Sequence, residues 1–100
     1  MKKLLIIDFP FAGPFGNDLA NKLDVLAQKI KDEPGFIWKV WTEDPEAKRS
    51  GGVYLFESEE SCLVYLHKHL ERLSTIVEKE EVKYYLRDLN DDLNKISFIS

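Results

Sequence analysis

Apolar residues fall along this chain in two patterns, short unbroken clusters and positions spaced by three and four, and the two patterns alternate. Leu4 to Phe9 is an aliphatic, β-branched run closed by Pro10 and by the turn formers Gly13-Pro14 and Gly16, which predicts a buried strand. Leu19, Leu23, Leu26, Ala27 and Ile30 then recur at helical spacing, with Asn17 or Asp18 available as a cap, and Pro34-Gly35 stops the helix. Phe36 to Thr42 is aromatic and β-branched and reads as a second strand. A polar stretch from Glu43 to Ser50 leads to Gly51-Gly52, which opens a third strand, Val53 to Phe56, as an antiparallel neighbour. Ser58 caps a second helix carrying Cys62, Leu63, Leu66, Leu70 and Leu73 and running to about Thr75. Glu80 to Leu89 returns to β character and ends at Asn90-Asp91-Asp92. A tail strand over Ile96 to Ile99, exchanged across a dimer, is a further expectation.

The resulting order, β-α-β-β-α-β, is the α+β ferredoxin-like plan, with two helices on one face of a four-stranded antiparallel sheet. Side chains alternate faces along a strand, so a half-covered sheet should be apolar on one parity only. Here Phe36, Trp38 and Val40 oppose Ile37 and Trp41, and Val53 and Leu55 oppose Tyr54 and Phe56, so both parities are apolar. A bare face of that size exceeds what soluble monomers leave exposed, and a second copy related by a two-fold axis would cover it.

With 100 residues, 44% of them hydrophobic and 32% charged, the chain has the composition of one globular domain spanning 1–100. Eighteen acidic against fourteen basic residues give a net charge of −4, which disfavours nucleic acid and anionic membrane as partners. The lone Cys62 permits no internal disulfide and reads as a small core residue. Asp8 interrupts the signal-like start after four apolar residues, so a cytoplasmic protein is expected. Gly13-Pro14-Phe15-Gly16 lacks the lysine of a phosphate loop and reads as a turn.

The segments Gly13-Pro14-Phe15-Gly16, Glu33 to Glu43 and Gly51 to Phe56, with Tyr65-Leu66 followed by His69 and the closing strand after Glu80-Glu81-Val82, resemble the YdhR-type monooxygenases nearly end to end. The resemblance implies a dimeric α+β barrel, two protomers joined sheet to sheet. It also implies a monooxygenase acting on a small aromatic or quinol-like compound without metal, flavin or other cofactor. The chain departs from the family pattern where it carries Asp8 in place of histidine and Ala12 in place of asparagine.

Oxygenation without a cofactor needs a substrate that is deprotonated and held in a dry pocket, hence a base, an anion stabiliser and aromatic walls. His69, one turn before Leu73, and Asp8 are the candidate bases. Phe11, Trp38, Trp41, Tyr54 and Phe56 are candidate substrate-binding walls, with Lys39 beside the oxyanion. His67 lies about 200° around the helix from His69, so the two rings share no metal and His67 faces solvent. Tyr84 and Tyr85 point to opposite faces. Two other readings fit the same residues: a homodimeric, non-catalytic module binding an apolar or aromatic small molecule, and aromatics that serve only as core and dimer interface.

Overall fold

The computed structural model describes residues 1–97. Its elements follow the order β1 (Lys3–Pro10), α1 (Gly16–Ile30), β2 (Phe36–Asp44), β3 (Arg49–Phe56), α2 (Glu59–Leu73), β4 (Lys83–Asp88) and a short α3 (Asp91–Ile96), with one 3₁₀ turn at Lys79–Glu81 before β4. The sheet is antiparallel throughout, in the order β2-β3-β1-β4. The chain is therefore ferredoxin-like and α+β, as the periodicity predicts.

Local chemistry accounts for most boundaries. The Ser58 hydroxyl accepts from the Ser61 amide and starts α2, while Glu59 and Glu60 sit at the positive end of its dipole. Helix α1 begins earlier than expected, at Gly16; Asn17 and Asp18 lie within its first turn and do not cap it. Instead the Glu43 carboxylate, arriving from β2, accepts from the Gly16 amide at 3.1 and 3.2 Å. Asn90 accepts from the Leu93 amide and caps α3, so the polar triplet expected to end a strand also begins a helix. Ile96, where the tail strand is expected to begin, instead ends that helix; positions 98 and 99 of the expected strand lie outside the described residues.

The core lies between the sheet and α2. Leu5, Ile7 and Phe9 of β1, Tyr54 and Phe56 of β3, and Cys62, Tyr65, Leu66 and Leu73 of α2 are buried together, with Ile30 from α1. Each large side chain so covered contributes roughly 1.5–3 kcal/mol. Of the expected α2 stripe, Leu63 is exposed, and Tyr65 and His69 take the buried positions instead. Helix α1 buries only Leu19 and Ile30, so it stands off the sheet along much of its length.

Strand β2 corrects one expectation. A register shift between Phe36 and Trp38 sets Phe36 opposite Phe56 and Trp38 opposite Leu55. Phe36 therefore joins Lys39 and Trp41 on the helix side, while Trp38 and Val40 face away; the bulge inverts the parity at the strand's start. The face away from the helices carries Leu4, Ile6, Trp38, Val40, Val53, Leu55 and Tyr85 by register. Val40 and Tyr85 on it are exposed.

Gly51 and Gly52 lie inside β3 and do not merely open it. A Cβ at Gly51 would overlap the Ile7 carbonyl oxygen and lie 3.1 Å from Asp8 Cα, so only glycine lets β3 approach β1 here. Gly51→Ala is expected to cost roughly 2 kcal/mol or more, because backbone must move. Urea unfolding with an unchanged slope and a lowered midpoint would show it.

Candidate active site

A cavity of about 330 Å³ opens between the sheet and the two long helices, a size suited to a small ligand. Phe9, Phe11, Leu19, Leu23, Leu26, Ile30, Trp41 and Leu73 give it apolar walls, and Lys22, Lys39, Tyr54, Tyr65, His69 and Arg72 give it polar groups. Its existence follows from the stand-off of α1, whose Leu23 and Leu26 are only half-buried and face this space. A wider depression of about 760 Å³ beside Pro10 and Val77 is open and shares only Phe11 and Ile76 with the cavity.

Helix α2 supplies three polar groups from one face, since Tyr65, His69 and Arg72 stand four and seven residues apart. The Tyr65 and His69 rings stack at 5.5 Å, and the Tyr65 ring lies 5.1 Å from that of Tyr54 on β3. Arg72 Nη2 is 3.4 Å from Tyr65 Oη and 3.3 Å from His69 Nδ1; Tyr54 Oη is 3.4 Å from His69 Nε2 and 3.5 Å from Tyr65 Oη. A guanidinium can only donate, so His69 Nδ1 accepts and its remaining proton, on Nε2, is donated to Tyr54. Tyr65 accepts from Arg72 and donates to Tyr54 in the same sense. Both branches converge on Tyr54 Oη, a fully buried hydroxyl whose own hydrogen neither branch uses.

Electrostatics reinforce this polarity. Burial, with Lys39 and Arg72 nearby, pushes His69 down to about 3, so the ring is neutral at ordinary pH. Burial likewise pushes both tyrosines up, keeping Tyr54 and Tyr65 as protonated donors. Burial and, secondarily, Arg72 lower Lys39 to about 7. The Lys39 Nζ rests 3.2 Å from the centre of the Trp41 ring and 4.5 Å from that of Tyr54, a cation–π arrangement. Gly52 makes this pose available, because a Cβ there would sit 2.7 Å from Lys39 Cε.

Of the residues singled out in the sequence, the fold brings His69, Phe11, Lys39, Trp41 and Tyr54 together around the cavity. Phe56 is fully buried behind Tyr54, their rings stacked at 6.4 Å, and does not line it. Trp38 and Asp8 lie on the opposite face of the sheet. There one Asp8 oxygen accepts from Arg49 Nε at 3.0 Å and Nη2 at 2.6 Å. Ala12 is exposed and outside the cavity lining. The sequence pattern does not mark Tyr65 and Arg72 as site residues, although the spacing of Tyr65, His69 and Arg72 places all three on one helix face. Among the described residues no three His, Cys, Asp or Glu side chains gather as a metal site.

The Lys39 ammonium is held against its own desolvation, which gives a prediction. With a value near 7 folded against 10.5 for the unconstrained group, the unfolded chain binds the extra proton between these limits, and stability from this site rises with pH across that window. Lys39→Met, which removes the group, is expected to raise the melting temperature at about pH 7, with the gain shrinking toward about pH 10. Paired thermal melts of the two proteins across pH would check this; a difference independent of pH would contradict it.

Comparisons with known proteins accord with this architecture. A mono-oxygenase from the gene ActVA-Orf6 of Streptomyces coelicolor, solved in complex with nanaomycin D, superposes with a TM-score of 0.60 at 20% identity, covering 88% of this chain and 87% of that one. A mutant of SnoaB, a cofactor-independent oxygenase from Streptomyces nogalater, superposes at 0.62 with 10% identity over 89% and 93% of the two chains. MupZ from Pseudomonas fluorescens does so at 0.54 with 12% identity over 95% and 78%. At these identities the likeness establishes the fold. No curated protein sequence matches the chain. The family model described as "Putative mono-oxygenase ydhR" matches residues 4–98, nearly the whole length, and the chain belongs to that family.

Proposed function

We propose that the protein is a cofactor-independent monooxygenase that oxidises a small hydroxylated aromatic or quinol-like compound in the cavity beneath α1. The observation that carries this reading is the convergence of the Arg72, His69 and Tyr65 hydrogen bonds on Tyr54, a buried side chain in the lining of an apolar cavity that also holds Lys39. Family membership and the oxygenases that share the fold support it.

In this reading the substrate gives up its hydroxyl proton to solvent as it enters the cavity, and the resulting anion reduces dioxygen directly. One oxygen atom forms a bond to a ring carbon, the O–O bond breaks, and the second oxygen leaves as water with the hydroxyl proton and the displaced ring hydrogen. The substrate supplies the electrons. Tyr54 donates a hydrogen bond to the substrate oxygen, and the cation at Lys39 stabilises its charge. His69, whose nitrogens are engaged by Arg72 and Tyr54, acts by positioning Tyr54. Asp8, paired with Arg49 across the sheet, takes no part. Phe11 and Trp41 form aromatic walls against the substrate ring.

We further propose that two copies pair through the apolar face carrying Leu4, Ile6, Trp38, Val40 and Val53, which the helices leave uncovered. A second reading, a module that binds an aromatic without turnover, is favoured by one observation: positions 8 and 12 offer the cavity no polar group.

Oxygen uptake across a panel of quinols and naphthols separates the two functional readings. Turnover reduced about 100-fold by Tyr54→Phe and by His69→Ala is the expected result; ligand-dependent thermal stabilisation without uptake would favour the binding module. Rates unchanged by both substitutions would remove the site. For the dimer, light scattering should return twice the 11.7 kDa chain mass, falling to one chain in Val40→Lys, which places a charge on the proposed interface.

A further inference from the structure

The cavity lining contains three cationic side chains, the half-buried Lys39 and, at its solvent-exposed rim, Lys22 and Arg72, and no aspartate or glutamate. This occurs in a chain whose net charge is −4, so the positive lining is not an average property of the protein. The ion pairs among the described residues join Lys3 to Glu59 and Asp88, Arg49 to Asp8, and Lys68 to Glu33; none involves a cavity cation. Arg72 spends its hydrogen bonds on neutral partners, Tyr65 and His69. Lys39 Nζ rests on the rings of Trp41 and Tyr54. The titratable or charged groups lining the cavity with Lys39 are Lys22 on α1, Tyr54 on β3, and Tyr65, His69 and Arg72 on α2, and none is acidic.

A half-buried cation with no counter-ion is costly, and the cost is relieved when a ligand brings the opposite charge. The remaining walls are apolar and aromatic, and Tyr54 offers a hydrogen-bond donor beside the ammonium. Building on the reading of this cavity as the substrate site, we infer that it selects its ligand in anionic form: a flat aromatic molecule bearing a negatively charged oxygen, with Lys39 as its counter-cation and Tyr54 donating to the same oxygen. The charged oxygen belongs either to a phenolate or to a ring carboxylate, and both present the same chemistry to Lys39.

Titration calorimetry with 2-naphthoate and its neutral isostere 2-naphthamide tests the inference without requiring turnover. The carboxylate is expected to bind about tenfold tighter or more. Lys39→Met should abolish that preference, and Lys39→Arg should keep it, because the guanidinium retains the charge. A second arm uses 4-nitrophenol, whose phenolate absorbs in the visible: the bound ligand should be ionised at a lower pH than the free one, an effect lost in Lys39→Met. A shift with 4-nitrophenol alone would assign the site to phenolates, and a preference for naphthoate alone to carboxylates. Equal binding of naphthoate and naphthamide with no shift of 4-nitrophenol, a preference that survives in folded Lys39→Met, or no binding of any probe would overturn the inference. Charge-selective binding without oxygen uptake on any quinol would sink only the oxygenase reading, whereas oxygen uptake without charge selection would sink only this one.

Discussion

The packing of one face of α2 against Tyr54 of β3 is the contact on which the rest of this molecule depends. Tyr54 and Tyr65 are both buried, their rings 5.1 Å apart, and His69 stacks on Tyr65 one turn later. Buried hydroxyls and an imidazole in a core are tolerated only when satisfied, and here they satisfy one another, with the Arg72 guanidinium closing the set from the edge of the cavity. The same residues are thus core and site. Any group that loosens α2 from the sheet would break the hydrogen bonds at Tyr54 and the hydrophobic packing together.

The cavity is a consequence of unequal helices. Helix α2 lies close on the sheet and buries five side chains, while α1 buries two and is fastened at its N-terminus by Glu43. Space remains under α1, and its chemistry is set by which side chains reach it. All of the charged ones are basic. Burial strips both Lys39 and His69 of the water their charged forms need, and the neighbouring cations add to that effect, which accounts for their depressed values.

The two faces of the sheet have separate characters. Toward the helices lie the core and the cavity; away from them lie an apolar patch and, at one end, the Asp8–Arg49 pair. That separation keeps Asp8 out of the cavity network: the carboxylate is across the sheet from His69 and bonded to its own partner.

The sequence by itself determined the order of elements, the ferredoxin-like plan and the doubly apolar sheet, because hydrophobic periodicity and turn chemistry are local properties that each segment carries alone. It also marked His69, Lys39, Trp41, Tyr54 and Phe11. Only the tertiary structure decided which face each residue took. The bulge after Phe36 sent Trp38 one way and Lys39 the other, and β1 registry put Asp8 on the side away from the helices. The absence of a side chain at Gly52 made room for Lys39, a relation between two strands that neither shows alone. Tyr65 and Arg72 became visible as site residues only when α2 docked, since a helix face acquires a role from what it packs against.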